Sequence, residues 1–300
     1  VKKDIFTLLH LKKPKPLSEH NNINTVPLPE SKIDGVPAIV QRIEPQQFLS
    51  GCRQSIGKQR EHNEDCIFTL SIAIGGEKSS YPLGLYVVAD GMGGHQYGEV
   101  ASSTAARTLA GYLLKHFHPY LFDPSTSMDE SIQDLMRSAF NEAQRAVTQA
   151  APGSGTTLTA ALVLGQQMTI GHVGDSRAYA IHPYGGGETL TRDHSLVKRL
   201  EELGHISPEE AAVHPQRNVL YRALGQGEVL DPDIFTAPFP QAGYLLLCSD
   251  GLWSVLSDSN IFNVVSTAKD LQSACQSLVD AANEAGGPDN ISVIVVQLVT

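Results

Sequence analysis

The chain has four cysteines, Cys52, Cys66, Cys248 and Cys275, but no CxxC pair among them, no apolar run near the roughly 20 residues that span a bilayer, and no excess of positive charge. Each absence removes a class of protein. The cysteines stand in apolar or strand-like settings, where buried free thiols are expected rather than disulfides or zinc ligands, in keeping with a reducing cytoplasm. A formal charge of −10 argues against nucleic acid or an anionic membrane as main partner, because both need a basic surface to displace counterions or meet headgroups. The apolar run at 5–11 is interrupted by Thr7 and His10 and lacks a small-residue cleavage site, so no signal peptide is expected. There is no internal repeat and no low-complexity segment. With 41% hydrophobic and 18% charged residues in 300, the chain can bury one large core or two modest ones.

What is present is organised around residues 86–99, YVVADGMGGHQYGE. Tyr86, Val87, Val88 and Ala89 read as the end of a buried strand that stops at Asp90. Gly91, Gly93 and Gly94 then allow a sharp turn and a close approach of backbone to a ligand. From Gln96 the period changes, with Ala101, Ala105, Leu109, Leu113 and Phe117 at four-residue spacing, as a core-facing helix requires. Alone, an Asp-Gly pair between strand and helix is an ordinary turn. Two more aspartates sit at the ends of apolar runs, however: Asp250 in LLLCSDG and Asp289 in GGPDNISVIVV. A nucleotide-binding GxGxxG loop is excluded, since position 96 is Gln96 and no GK[ST] follows.

Taken in order, residues 1–46 hold six of the 17 prolines and one aromatic, Phe6, and read as a flexible tail carrying Lys2, Lys3, Lys12, Lys13 and Lys15. Strand signals begin at Phe48 and continue in 66–74. Residues 132–147 follow an i, i+3, i+4, i+7 apolar pattern and predict a second helix. Runs at 156–164, 168–173 and 176–181 predict strands joined as antiparallel hairpins. Residues 195–222 are a polar excursion with a Ser-capped helix at 195–204 and a capping box at Ser207 to Glu210. Strands are predicted at 229–236, 244–248 and 291–299, and a helix behind Asp270 from Leu271 to Ala285. Short strands with hairpin-scale links and helices between groups of them favour an α+β layering.

The carboxylates at strand ends are Glu64, Asp65, Asp90, Asp250 and Asp289, with Asp175 a further candidate. At close range such a set cannot stay ionised without cations, because like charges raise one another's pKa. All-oxygen donors select hard divalent ions, Mg²⁺ or Mn²⁺. A pair of such ions can share and acidify a water, giving phosphoester hydrolysis without a protein nucleophile. Metal-free, the cleft should repel phosphate. Arg60 suits bidentate grip of phosphate oxygens, although by itself it reads better as a surface salt-bridge residue.

Eight motifs carry a resemblance: REHNED (60–65), VVADGMGGH (87–95), SGTT (154–157), GHVGDSRAY (171–179), LTRDHS (190–195), RALG (222–225), CSDGLW (248–253) and GGPDNIS (286–292). In this order they resemble the metal-dependent protein phosphatases, the type 2C serine/threonine phosphatases, in their bacterial form, from about residue 50 onward. The resemblance implies a central β-sandwich of two antiparallel sheets flanked by helices, a four-layer αββα α+β fold. It implies a protein serine/threonine phosphatase using a metal-bridged water or hydroxide, with two Mn²⁺ or Mg²⁺ per chain and a third, weaker ion in many members. By position, Asp90 resembles the residue bridging both metals, and the Gly91 carbonyl binds the first. Asp250 and Asp289 resemble ligands of the second, while Glu64 and Asp65 hold its waters or act indirectly. Asp175 and Asp250 resemble the pair holding the third ion, and Arg60 the phosphate-binding arginine. Residues 195–222 correspond to a mobile flap. The implied partners are phosphorylated proteins opposed to a serine/threonine kinase, with no nucleic acid, no membrane span and a monomeric chain. One position departs: animal members place a histidine where this chain has Met92, which is expected to be packing, and His95 does not match that role. Activity is expected to survive, with a metal-bound water or another acid serving. A binding-only pseudoenzyme is disfavoured, because every expected ligand is present.

Overall fold

The architecture follows from which faces of each strand are apolar. In the computed structural model, residues 45–73, 82–93, 96–123, 130–227 and 230–299 are described. Gly94, His95 and all but the end of the expected tail lie outside them. The strands are β1 (Gln47–Ser55), β2 (Asp65–Ile72), β3 (Leu83–Met92), β4 (Gly155–Thr156), β5 (Leu158–Leu164), β6 (Gln167–Val173), β7 (Arg177–Ile181), β8 (Gly187–Thr189), β9 (Asp233–Pro238), β10 (Tyr244–Cys248) and β11 (Ile291–Val299). The helices are α1 (Gln96–Phe122), α2 (Ile132–Ala150), α3 (Leu196–Glu202), α4 (Pro208–Ala212), α5 (Asp250–Trp253), α6 (Asp258–Thr267) and α7 (Leu271–Glu284).

Two antiparallel sheets form, one in the order β1-β11-β10-β7-β8 and the other β2-β3-β5-β6-β9, with β4 paired to β3. Side chains alternate across a strand, so a strand buried on both faces reads as an unbroken apolar run. On β3, Leu83, Leu85, Val87 and Ala89 meet α1 and α2, while Tyr86 and Val88 face the other sheet. On β11, Val293 and Val295 join the core under α6 and α7, and Ile294 and Val296 turn to the space between the sheets. Three apolar layers therefore lie between four structural ones. This is the α+β sandwich that the resemblance implies.

The sequence reading departs from the structure in three places. The strand expected to stop at Asp90 continues through Gly91 and Met92, because these pair with Thr156 and Gly155 of β4. The run expected as a hairpin between 168–173 and 176–181 is a crossing: β6 and β7 belong to different sheets. Gly174, at φ +111°, makes the bend, where a Cβ would meet the Thr157 side chain at 2.6 Å. The strand expected at 229–236 begins only at Asp233, beyond Pro232, which has no N–H to donate to a ladder. Among the described residues no helix is long and apolar enough to cross a membrane.

Candidate metal centre

The predicted carboxylates come from both sheets and meet at one end of the sandwich. Asp65 and Asp90 stand directly opposite each other at the ends of β2 and β3. Asp90 is fixed through its backbone: its N–H donates to Thr157 Oγ1 (2.9 Å), and its carbonyl accepts from Thr157 N–H (2.8 Å) and Thr156 Oγ1 (2.9 Å). None of these bonds uses its carboxylate, which meets that of Asp250. Asp175 follows the Gly174 crossing, with its carbonyl held by Trp253 Nε1 at 3.0 Å. Asp250 opens α5 at the end of β10, and Asp289 precedes β11.

Glu64 is placed by Asn290, which accepts from the Glu64 N–H (2.7 Å) and donates to the carbonyls of Ile56 (2.8 Å) and His62 (2.9 Å). One amide thus ties the loop bearing Arg60 and Glu64 to the residue after Asp289. Gly91 sits where α1 comes closest; a Cβ there would lie 2.2 Å from the Gly98 carbonyl oxygen and 2.7 Å from that of Glu64. Only a glycine lets the three segments meet. Every predicted site residue except Asp65 lines a single cavity of about 570 Å³, joined by Met92, Thr157 and His62. Asp65 lies behind it, buried, its Oδ2 accepting from the hydroxyls of Ser249 (2.8 Å) and Ser292 (2.6 Å).

Charge is the unresolved feature of this cavity. Burial, reinforced by Asp65, Asp250 and other carboxylates, pushes Asp90 well above the usual carboxylate range, and burial with Asp250 does the same to Asp175. Burial lifts Asp65 to about 7 against the pull of its two serine bonds, and Asp250 to about 6 with help from Asp289. Arg60 donates to Asp289 Oδ2 at 2.7 Å. Burial pulls the Arg60 guanidinium down, but Asp289, with Glu64 and Asp90 behind it, outweighs this and raises it.

Two buried carboxylate oxygens, Asp65 Oδ1 and Asp250 Oδ1, have no hydrogen-bond partner. Native folds rarely leave such atoms orphaned without a ligand to take them. Among the described residues no three acidic, imidazole or thiol groups already converge at bonding distance on one point. Like charges repel at close range, and Asp289 is turned to Arg60. The fit to hard divalent cations rests on the all-oxygen donor set, the orphaned oxygens and the raised acidities, and on these the residues fit.

The model of the Protein phosphatase 2C family matches residues 52–291. The chain belongs to the protein phosphatase 2C family. It is 35% identical over 253 residues to the serine/threonine phosphatase stp of Listeria monocytogenes, covering 82% of this chain and 94% of that one. It is 34% identical over 257 residues to the protein phosphatase PhpP of Streptococcus pneumoniae, covering 81% and 94%. Among solved structures it resembles the Mycobacterium tuberculosis serine/threonine phosphatase PstP/Ppp, with TM-score 0.70, 30% identity, and coverage of 85% of this chain and all of that one. The catalytic domain of PstP in complex with two manganese ions matches with TM-score 0.68 and 29% identity over 85% and 100%.

Several residues of this phosphatase 2C chain were not singled out by sequence reasoning. Thr157, Ser249, Asn290 and Ser292 all lie inside the quoted motifs, the last three within one to three residues of an aspartate. Their hydroxyls and amide do the positioning. Arg177, also within a motif, forms a fork to Asp193 (3.0 and 2.7 Å) and lies 3.7 Å over the Trp253 ring that holds Asp175. Spacing gives no sign of these partnerships, which join residues as far as 234 positions apart.

Proposed function

We propose that this protein is a metal-dependent protein-serine/threonine phosphatase whose centre is built from Asp90, the Gly91 carbonyl, Asp250 and Asp289, with Glu64 and Asp65 in support and Asp175 serving a third, weaker ion. The observation that carries the reading is the cavity of carboxylates, with an orphaned oxygen on Asp250 in its lining, another on Asp65 behind it, and Arg60 beside them. When bound, two Mn²⁺ or Mg²⁺ ions supply a water acidic enough to react near neutral pH and offset charge on the phosphoryl group.

The chain's own residues do the rest. Thr156 and Thr157 hold the Asp90 backbone so that its carboxylate stays aimed into the cavity. Ser249 and Ser292 fix Asp65 behind it, where it orders its neighbours rather than touching substrate. Arg60, paired with Asp289, exchanges that carboxylate for two phosphoryl oxygens as substrate enters, a planar fork that remains charged at any working pH. Hydrolysis adds water across the ester P–O bond and releases orthophosphate and the serine or threonine hydroxyl. Met92, whose Sδ lies 3.7 Å from Gln226 Nε2, has no proton to give.

Residues 195–222, with α3 and α4, form a flap whose Asn218 and Leu220 reach the cavity. Residues 1–46 are a tail outside the phosphatase domain. The substrates are phosphoproteins set against a serine/threonine kinase, and the enzyme works as a cytoplasmic monomer in signalling. The relatives named as serine/threonine phosphatases support this reading.

The test is release of phosphate from phosphoserine, phosphothreonine and phosphotyrosine peptides with Mn²⁺, with Mg²⁺ and with chelator. Turnover confined to the metal-containing samples and favouring phosphoserine or phosphothreonine is expected. Folded, metal-loaded protein without turnover would reject the enzyme in favour of a phosphoprotein-binding module.

A further inference from the structure

Residues 192–196 and 218–222 are the two legs that carry α3 and α4 away from the sheets. They are joined by the bonds from Leu196 N–H to Val219 O (2.8 Å) and from Tyr221 N–H to His194 O (2.9 Å), around a bridge between Ser195 and Leu220. Extended backbone sends neighbouring side chains to opposite sides. Asp193 turns to Arg177, and Asn218 and Leu220 turn to the metal cavity. Arg192, His194 and Tyr221 face the other way. With Arg199 of α3, Arg222 and Asp233 they enclose a separate cavity of about 330 Å³ that shares no lining residue with the metal cavity.

Three guanidiniums line this space against one carboxylate. Arg192 and Arg199 share a single acid, Glu202; Arg192 hydrogen-bonds it, and Arg199 approaches at 3.7 Å. One positive charge on that pair is left over, balanced by the second acid beside Arg222, so it is the convergence of three guanidinium forks, and not net charge, that suits an anion. Arg222 reaches Asp231 (3.4 Å) and Asp233 (3.2 Å). Asp233 spends its other oxygen on His194 Nε2 at 3.2 Å. His194 Nδ1 accepts from the Gly174 N–H at 3.1 Å, so the ring carries its proton on Nε2 and is neutral. Burial lowers its pKa, and the charges of Arg222 and Arg192 push the same way against Asp233.

We propose that this cavity is a second, non-catalytic site for a phosphate dianion, gripped between Arg199 of the flap and Arg192 and Arg222 at its root. Guanidinium forks match tetrahedral oxyanions, and three forks from separate segments suit a dianion better than a single carboxylate. The space exceeds a bare phosphate, so it admits a phosphoryl group still attached to a peptide as well as free orthophosphate. Either occupant would fasten α3 to the sheet that carries β9. The inference uses none of the metal-cavity carboxylates and does not depend on turnover.

The experiment is calorimetric titration of the full chain with inorganic phosphate in chelator, where the carboxylates of the metal cavity repel phosphate. Saturable one-to-one binding is expected, weakened at least tenfold by Arg199→Gln and by Arg192→Gln. Arg199 is exposed on a surface helix, and among the described residues it pairs only with Glu202, at 3.7 Å, so its replacement tests the site without endangering the fold. No saturable binding, or binding that both variants leave unchanged, would overturn the proposal. A serine peptide bearing one phosphate distinguishes the sources. Tighter binding of the peptide than of phosphate assigns the site to a phosphorylated residue, and equal or weaker binding assigns it to free phosphate.

Discussion

Replacing Asp65 by asparagine should make the metal-free protein more stable at pH 8 relative to wild type than it does at pH 5. The carboxyl is buried among other acids, with a folded pKa of about 7 against an ordinary 3.8. The native state therefore keeps a proton that the unfolded chain has released. That contribution to stability is full below pH 3.8, shrinks as pH rises, and is gone above about 7. From pH 5 to the folded value is about two pH units, which at 1.36 kcal/mol each amounts to about 3 kcal/mol lost by wild type and kept by the variant. Asp250, raised to about 6, shares the same buried space, so the two effects do not add. The amide can still accept from Ser249 and Ser292, but its NH₂ replaces an oxygen that has no partner, an offset of about 1–3 kcal/mol that is the same at both pH values. Urea unfolding of both proteins in chelator at pH 5 and pH 8 reads the difference directly. A stability difference constant across pH would refute the reasoning, since it would mean that the fold tolerates an ionised Asp65 without cations. In Mn²⁺ the order should reverse, with the variant binding metal about 10- to 100-fold more weakly, as removal of a supporting group typically does.

Asp90→Asn should abolish phosphate release while circular dichroism stays native, because its fixing bonds run to the backbone rather than to the carboxylate; turnover at the wild-type rate would remove Asp90 from the reaction. Gly91→Ala should cost about 1–3 kcal/mol and most of the activity, since the new methyl overlaps the Gly98 carbonyl and α1 must shift; thermal unfolding with a turnover assay checks both. His172 is buried between Thr159 Oγ1 (2.9 Å) and the Arg192 carbonyl (3.0 Å), and burial lowers it from 6.5 to about 4. Its sign is opposite to that of Asp65: the contribution is full above pH 6.5 and falls by about 3 kcal/mol as pH drops toward 4. His172→Gln should flatten that part of the acid side of the stability curve, and an unchanged acid limb would count against it.

Much of the fold was legible because its signals are local. The Tyr86 to Ala89 run is apolar on both faces, and β3 is indeed buried on both. The capping box at Ser207 and Glu210 forms in both directions. The second helix is Ile132–Ala150, with Leu135, Met136, Ala139 and Ala143 buried. What was hidden is non-local. Nothing in 168–181 says that the chain changes sheets at Gly174, because alternation looks the same whichever sheet a strand joins. Helix α6 went unread although Ser257 caps it. The carboxylates stood out as acids at strand ends, whereas the hydroxyls of Thr157, Ser249 and Ser292 are common residues that gain meaning only from what lies opposite. Asp65 was named among the site acids, but its place behind the cavity depends on serines 184 and 227 residues away.

The position of β11 has a consequence for how the protein is made. This last strand lies inside its sheet, between β1 and β10, and is led in by Asp289 and Asn290. Asp65 and Asp90 leave the ribosome first, and the amide that anchors the Arg60 loop and the last of the acids emerge about 200 residues or more later. At translation rates of about 5–20 residues per second that is a delay of roughly 10–45 s. Throughout it the growing chain carries half a centre with an open sheet beside it. A ribosome-bound chain is thus expected to stay catalytically silent until β11 is made, and a message cut short before β11 to yield no partial enzyme.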